Sequence, residues 1–198
     1  LNIAEHAVNP FDIGLGRRTP LERERTFIEN FLGTLLNVTN PEIALMIPRL
    51  VTRVFQVKSD IQFSSSPSIY QPNVDPDLDR LIEQHAIPVT SKTRWWRIVD
   101  AFMERRLYVA AQRAQRHAMP VMEDLARVLG EPIMALDFTP ELVRGVQRAL
   151  EAAIEKFPIF SRPTRLDLGE ARVVSIDLQD VAMRHKSPEA ERNNALMF

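Results

Sequence analysis

Five times along this chain a residue suited to capping a helix is followed directly by proline: Thr19-Pro20, Asn40-Pro41, Asp75-Pro76, Thr139-Pro140 and Ser187-Pro188. The first residue of each pair offers a side-chain acceptor to the amides of a first helical turn, and proline fits N1, where its missing N–H leaves nothing unsatisfied. Each pair therefore predicts a helix start. Glu22, three residues after Thr19, is placed to reach back to the cap amide and complete a capping box, with the helix running to about Asn37.

Apolar spacing fills in the elements between these starts. Ile28, Phe31, Leu32 and Leu35 form one helical stripe, and Ile43, Ile47, Leu50, Val51, Val54 and Phe55 form a second, in which Pro48 is expected to kink the helix or split its first turn. A shorter helix is predicted from Pro76 to about Gln84, with Leu78, Leu81 and Ile82 inward. After Thr139-Pro140, Leu142, Val146, Ala149, Leu150, Ala153, Ile154 and Phe157 recur at helical spacing until Pro158 stops them. The block from Thr93 to Leu125 reads as one long helix or two in series, with a further helix starting at Pro120 and ending before Gly130. Strand candidates are few: Leu1 to Ala7 weakly, and Arg172 to Leu178 on its Val173, Val174 and Ile176. Asp60 to Asn73, rich in serine and proline and without periodicity, reads as an exposed loop. The expected fold class is mainly α with a small β component.

Chemistry-bearing motifs are sparse. None of the six glycines belongs to a G-x-x-x-x-G-K loop or a G-x-G-x-x-G turn; Gly14-Leu15-Gly16 comes nearest, but Arg17-Arg18-Thr19 follows where a phosphate-binding lysine would stand, so a turn is the expectation. His6, His85, His117 and His185 are scattered and form no metal-ligand pair. With no cysteine, a disulfide framework and thiolate-held metals are excluded. Lysine and arginine number 25 against 26 acidic residues, a net charge of -1, so no global basic field recruits nucleic acid or an anionic membrane. No apolar run approaches the roughly 18–20 residues that span a bilayer, and a soluble, cytoplasmic segment without membrane insertion is expected.

One local concentration of charge stands out. Arg94, Arg97, Arg105, Arg106, Arg113, Arg116 and His117 lie near two tryptophans. A solvated helix face balanced by Asp100, Glu104, Glu123 and Asp124 is the plain reading; a surface for nucleic acid or an acidic partner, through phosphate or cation–π contacts, is the sharper one, with Arg105, Arg106, Arg113, Arg116 and Trp96 as the candidate partner-contact residues. Trp95 and Trp96, about 100° apart on a helix, are expected to divide into one core residue and one lid over an interface. No catalytic, cofactor-binding or metal-ligating residue is assigned.

Three stretches carry a family resemblance. Asn9-Pro10-Phe11-Asp12 with Leu15-Gly16 and then Glu22 to Leu36 resembles the part of type IV secretion and conjugative transfer ATPases that follows the nucleotide-binding strand and helix. Trp95-Trp96 with Val99-Asp100, Ala110-Ala111, Ala114-Gln115-Arg116 and Met119-Pro120 is similar to the helical insertion of that family, in its conjugative-plasmid and Dot/Icm-like branch. Arg172 to Asp177 with Leu178-Gln179-Asp180-Val181 resembles the strand leading toward the second nucleotide motif.

The resemblance implies a RecA-like α/β motor with a helical subdomain, hexameric and placed at the inner-membrane face of a bacterial secretion apparatus. Residues 1–18 would then be a strand and loop of the motor, 19–160 the helical insertion, and 161–198 the strand and following helix of the motor. ATP and magnesium belong to the parent protein: the two Walker motifs that hold them are absent from this chain, so this chain alone is not expected to hydrolyse ATP. The chain opens without methionine and stops at Ala195-Leu196-Met197-Phe198 inside an incipient helical pattern, which fits an internal fragment. Its expected partners are further copies in a homo-oligomer and other secretion-system components, with no direct nucleic-acid site. The alternative is a self-contained helical adaptor or scaffold that binds another protein.

Overall fold

Eight α-helices account for most of the described residues, 7–59 and 68–165, of a computed structural model of the chain. They are α1 (Glu22–Leu35), α2 (Pro41–Lys58), α3 (Pro76–Gln84), α4 (Trp95–Glu104), α5 (Tyr108–Ala118), α6 (Met122–Leu129), α7 (Pro132–Asp137) and α8 (Pro140–Lys156), with a 3-10 turn at Pro158–Phe160. Among the described residues the only β pairing is an isolated antiparallel bridge between Ile69 and Arg94. The chain is mainly α, as its periodicity predicts. The two strand candidates lie outside the described residues except for Ala7, which is irregular, and so does Ser187-Pro188.

Proline caps set several boundaries. Asp75 accepts from the Leu78 amide at 3.3 Å and Thr139 from the Leu142 amide at 3.4 Å, so α3 and α8 begin at Pro76 and Pro140. Asn40 does the same for α2, accepting from the Glu42 amide at 2.8 Å. One expectation needs correction and another is narrowed. Thr19 is not a cap: α1 starts at Glu22, because the chain through Arg18 is held by other contacts described below. Of the two outcomes expected at Pro48, a split does not occur, since α2 continues over eighteen residues; the proline is exposed, so water can take the carbonyl left without an amide donor. The short α7 went unforeseen because its proline follows Glu131, which is not a capping residue.

Three helices end in one geometry. Residues Asn37, Ala86 and Arg106 have φ of 48°, 48° and 60°, and in each case the following amide donates to the carbonyl five residues back: Val38 to Gly33, Ile87 to Ile82 and Leu107 to Phe102. This is the Schellman stop, which ordinarily carries glycine at its left-handed position. Glycine-poor stops of this kind explain why the break between α4 and α5 is hard to see in the sequence.

The helices divide into two compact units interleaved along the chain. Among the described residues the first comprises 7–11, 22–52 and 121–165, and the second 12–21 and 53–120. In the first unit, α8 packs on α6 through the faces that carry Val146, Leu150, Leu125 and Val128. Phe31 meets Phe160 edge-on at 5.3 Å. Buried Asn9 fastens the start of this unit to its end: its amide donates to Thr164 Oγ1 at 2.7 Å, while its side chain accepts from the Phe11 amide at 3.1 Å. The Val8 amide bonds to the Ile159 carbonyl, and the Arg165 amide to that of Ala7. In the second unit, α4 and α5 form a close antiparallel hairpin with α3 against α5.

Leu150 is fully buried, so Leu150→Ala should lower the unfolding free energy by about 2–5 kcal/mol, the usual cost of such a cavity. Urea denaturation followed by circular dichroism measures it, and a loss under about 1 kcal/mol would contradict this packing.

Candidate functional site

The unusual wording of the sequence converges in the second unit, where alternating aspartates at the start of α3 meet α5. Asp75 is 8% exposed at its side chain, and its Oδ2 receives Arg113 Nε at 2.6 Å. His117 Nε2 lies 3.5 Å from the same oxygen. Asp75 Oδ1 caps α3. Asp77 takes the other side of Arg113 at 3.0 Å and also pairs with Arg80. Asp79 accepts from Tyr70 Oη at 2.6 Å and from the Asn73 amide at 2.8 Å.

Aromatic rings close the cluster. The His117 ring stacks on Trp95 with centroids 4.5 Å apart, and Tyr70 meets Trp95 edge-on at 5.1 Å. The bridge of 68–70 to 93–95 sets this register: Tyr70 donates its amide to Thr93, and Trp95 donates to Ser68.

Protonation follows from these surroundings. Burial holds His117 below the ordinary histidine range, with repulsion from Arg113 and Arg116 in the same direction and Asp75 opposing. Burial works against the charge on Arg113 too, but Asp75 and Asp77 more than offset it. Hydrogen bonds from Arg113 and Arg80 lower Asp77. The Tyr70 phenol is pushed up to about 12, first by burial and then by its bond to Asp79, so it stays a donor.

A second set of contacts explains the glycine turn. Gln115, buried in α5, donates to the Ile13 and Gly14 carbonyls at 3.0 and 3.1 Å and accepts from the Gly16 amide at 2.7 Å. Gly16 needs its freedom, with φ of 77°. A side chain at Gly14 would fall on the guanidinium of Arg17, which covers that residue. The loop is thus a turn bound by its own chain. Arg18 continues the anchoring: it pairs with Asp100 at 2.7 Å, donates to the Ser59 carbonyl at 3.0 Å and lies over the Trp96 ring at 4.6 Å.

The five residues expected to contact a partner separate into three groups. Trp96 is 2% exposed and donates to the Lys58 carbonyl at 3.0 Å, and Arg113 is bound by two aspartates. Trp95 and Trp96 are both core, because α4 is covered on two sides, by Tyr70 and His117 on one and by Arg18 and the end of α2 on the other. The expected division into core and lid is therefore corrected. Arg116 is half-buried on α5. Arg105 and Arg106 are exposed at the tip of the hairpin, where Tyr108 and Val109 are also exposed, Val109 to 79%. Arg105 donates back to the Ala101 carbonyl at 2.9 Å. The balancing acids also differ from expectation: Asp100 serves Arg18 and Asp124 serves Arg127 and the Val121 amide, while Arg113 is balanced by aspartates that folding brings from α3. Sequence reasoning missed the Asp75–Arg113–His117 group, although D-P-D-L-D at a helix start was a visible concentration of acid.

Among the described residues no group of histidine and acidic side chains is arranged to hold a metal ion, and no helix is long and apolar enough to cross a membrane. Comparison with family models, curated proteins and solved structures returns no match.

Two measurements test this site. An unfolded histidine titrates near 6.5. Because His117 is lowered in the fold, the unfolded chain takes up the proton first, and stability falls as pH descends through about 6.5 toward the lowered folded value. His117→Phe should flatten that part of the melting-temperature profile; an unchanged slope would exclude His117 as its source. Gln115→Ala should cost about 2–4 kcal/mol, since it strands two carbonyls and an amide. Gln115→Glu, which faces a carboxylate toward two carbonyls, should be less stable at neutral pH than at acid pH, read by urea titration at both.

Proposed function

We propose that this chain is a noncatalytic central portion of an ATPase of the type IV secretion and conjugative transfer class, and that the tip of its α4–α5 hairpin contacts another component of the assembly. In this reading the chain combines the helical insertion with a remnant of a RecA-like motor domain, the parent forms a hexamer at the inner-membrane face, and ATP and magnesium bind to its parts outside this chain. The residues that carry the family resemblance support it: Asn9, Gly16, Trp95, Trp96 and Gln115 are all engaged in internal bonds or packing, as befits wording that shapes a scaffold.

One observation carries the contact role. Arg106 occupies a left-handed position with φ of 60°. There glycine would be at ease, and an ordinary residue costs roughly 1–2 kcal/mol. Its side chain is exposed and, among the described residues, makes no hydrogen bond or ion pair that would offset the strain. Strain retained at an exposed tip beside Arg105, Tyr108 and Val109 favours a function for the side chain.

The test separates stability from function. Arg106→Gly should raise the unfolding free energy by up to about 1 kcal/mol and, introduced in the full-length parent, reduce transfer; Arg105→Ala should reduce transfer without a gain in stability. A stabilised Arg106→Gly protein that transfers normally would remove the contact role. ATP turnover by a longer polypeptide extended along the gene in both directions, with none by this chain, supports the motor. Silence in both would favour the adaptor.

A further inference from the structure

The second unit is basic although the chain is not. Residues 12–21 and 53–120 hold twelve arginines and lysines against eight aspartates and glutamates, while the whole chain carries a net charge of -1. Folding then engages much of that acid internally. Asp75 and Asp77 bind Arg113, Asp77 also binds Arg80, Asp79 accepts from Tyr70 and the Asn73 amide, and Asp100 holds Arg18. Glu83 on α3 acts on Tyr70. On the α4–α5 hairpin the charges left over are Arg97, Arg105, Arg106 and Arg116 against Glu104 alone; His117, held below its ordinary range, adds none at neutral pH. Among the described residues none of these four arginines forms an ion pair, and of the four only Arg105 has a hydrogen bond, to the Ala101 carbonyl. Arg105 and Arg106 are exposed at the tip, and from there α5 presents Val109, Gln112 and Arg116 at i, i+3 and i+7, a single ridge. Val109 is 79% exposed on it, and Tyr108, 52% exposed, stands beside its start.

We infer that the hairpin tip and this ridge bind an acidic segment of another protein, one whose carboxylates are interrupted by an apolar side chain. Charge selects the sign of the occupant: arginines without an acidic neighbour repel cations and pair with carboxylates, often through two parallel hydrogen bonds. The apolar part selects a polypeptide over a nucleic acid. Val109 gains by losing water against another apolar group, which a phosphate backbone does not offer. Both tryptophans, the best platforms for stacking bases, are buried, and Glu104 interrupts the positive track that a run of phosphates would follow. The same tip carries the proposed contact role, and the choice of an acidic partner rests on that role rather than on ATPase parentage.

The purified chain should bind a fluorescein-labelled peptide of about twelve residues, in which leucine interrupts glutamate, with a Kd of about 10–100 µM by fluorescence anisotropy. Binding should weaken steadily from about 50 to about 300 mM salt, as exposed charge pairs are screened. Arg105→Glu with Arg106→Glu should weaken it at least about tenfold, with an unchanged melting curve. Arg106→Glu should cost more affinity than Lys92→Glu, which alters the net charge equally at another exposed position of the unit. Val109→Ser should weaken the leucine-containing peptide more than an all-glutamate one. Absence of binding at about 50 mM salt, or equal losses in Arg106→Glu and Lys92→Glu, would overturn the inference. Tighter binding of a single-stranded oligonucleotide of the same length would overturn it in favour of a nucleic-acid surface, and self-association that Arg105→Glu with Arg106→Glu abolishes would overturn it in favour of a second copy. The contact role fails separately: peptide bound at the tip while Arg106→Gly transfers normally keeps the acid-binding surface and removes that role. Transfer lost in Arg106→Gly by a protein whose tip ignores the peptide keeps the role and removes the acidic partner.

Discussion

The carboxylate of Asp75 is the point on which the second unit turns. One oxygen holds the first turn of α3 in place, and the other receives Arg113 and lies beside His117 on α5. A carboxylate so buried is costly to desolvate unless its lone pairs are occupied, and here three groups from two helices share it. The cluster therefore fixes the start of α3 against α5. His117 in turn orients Trp95, which packs on Tyr70. Removing Asp75 would leave Arg113 half its partners and α3 without its cap, so the bonds act as a unit rather than as separate increments.

Gln115 does for the glycine turn what Asp75 does for α3. A buried carboxamide can donate twice and accept twice, and this one places two donors on carbonyls and its oxygen on an amide of a single loop. The motifs with the most unusual wording are thus spent on holding loops to helices. Among the described residues, those that face outward include Arg105 and Arg106 at the hairpin tip, where Arg106 holds a left-handed conformation, and Leu45 and Leu136 on α2 and α7.

Legibility in the sequence tracked the range of the interaction. Asp75-Pro76 and Thr139-Pro140 announced α3 and α8 because a cap and its amide lie three residues apart. Thr19-Pro20 misled because Arg18, just before it, is held by Asp100 and the Ser59 carbonyl, and α1 forms only after that anchored stretch. The break after Glu104 was hidden because its left-handed residue is arginine instead of glycine. Of the contact residues, Arg105 and Arg106 proved to be surface, whereas Arg113 and Trp96 were claimed by partners distant in the chain.

Local rules in the sequence determined that this protein is mainly helical, where several helices begin, and that it carries almost no net charge, because capping, periodicity and composition act over a few residues or none. Tertiary structure decided which of the expected contact arginines are exposed, that both tryptophans are buried, and that His117 is held below its ordinary range. Those outcomes depend on groups 38 positions apart for Asp75 and Arg113 and 102 for Gln115 and Ile13. Desolvation and pairing across such separations arise only when packing brings the groups together.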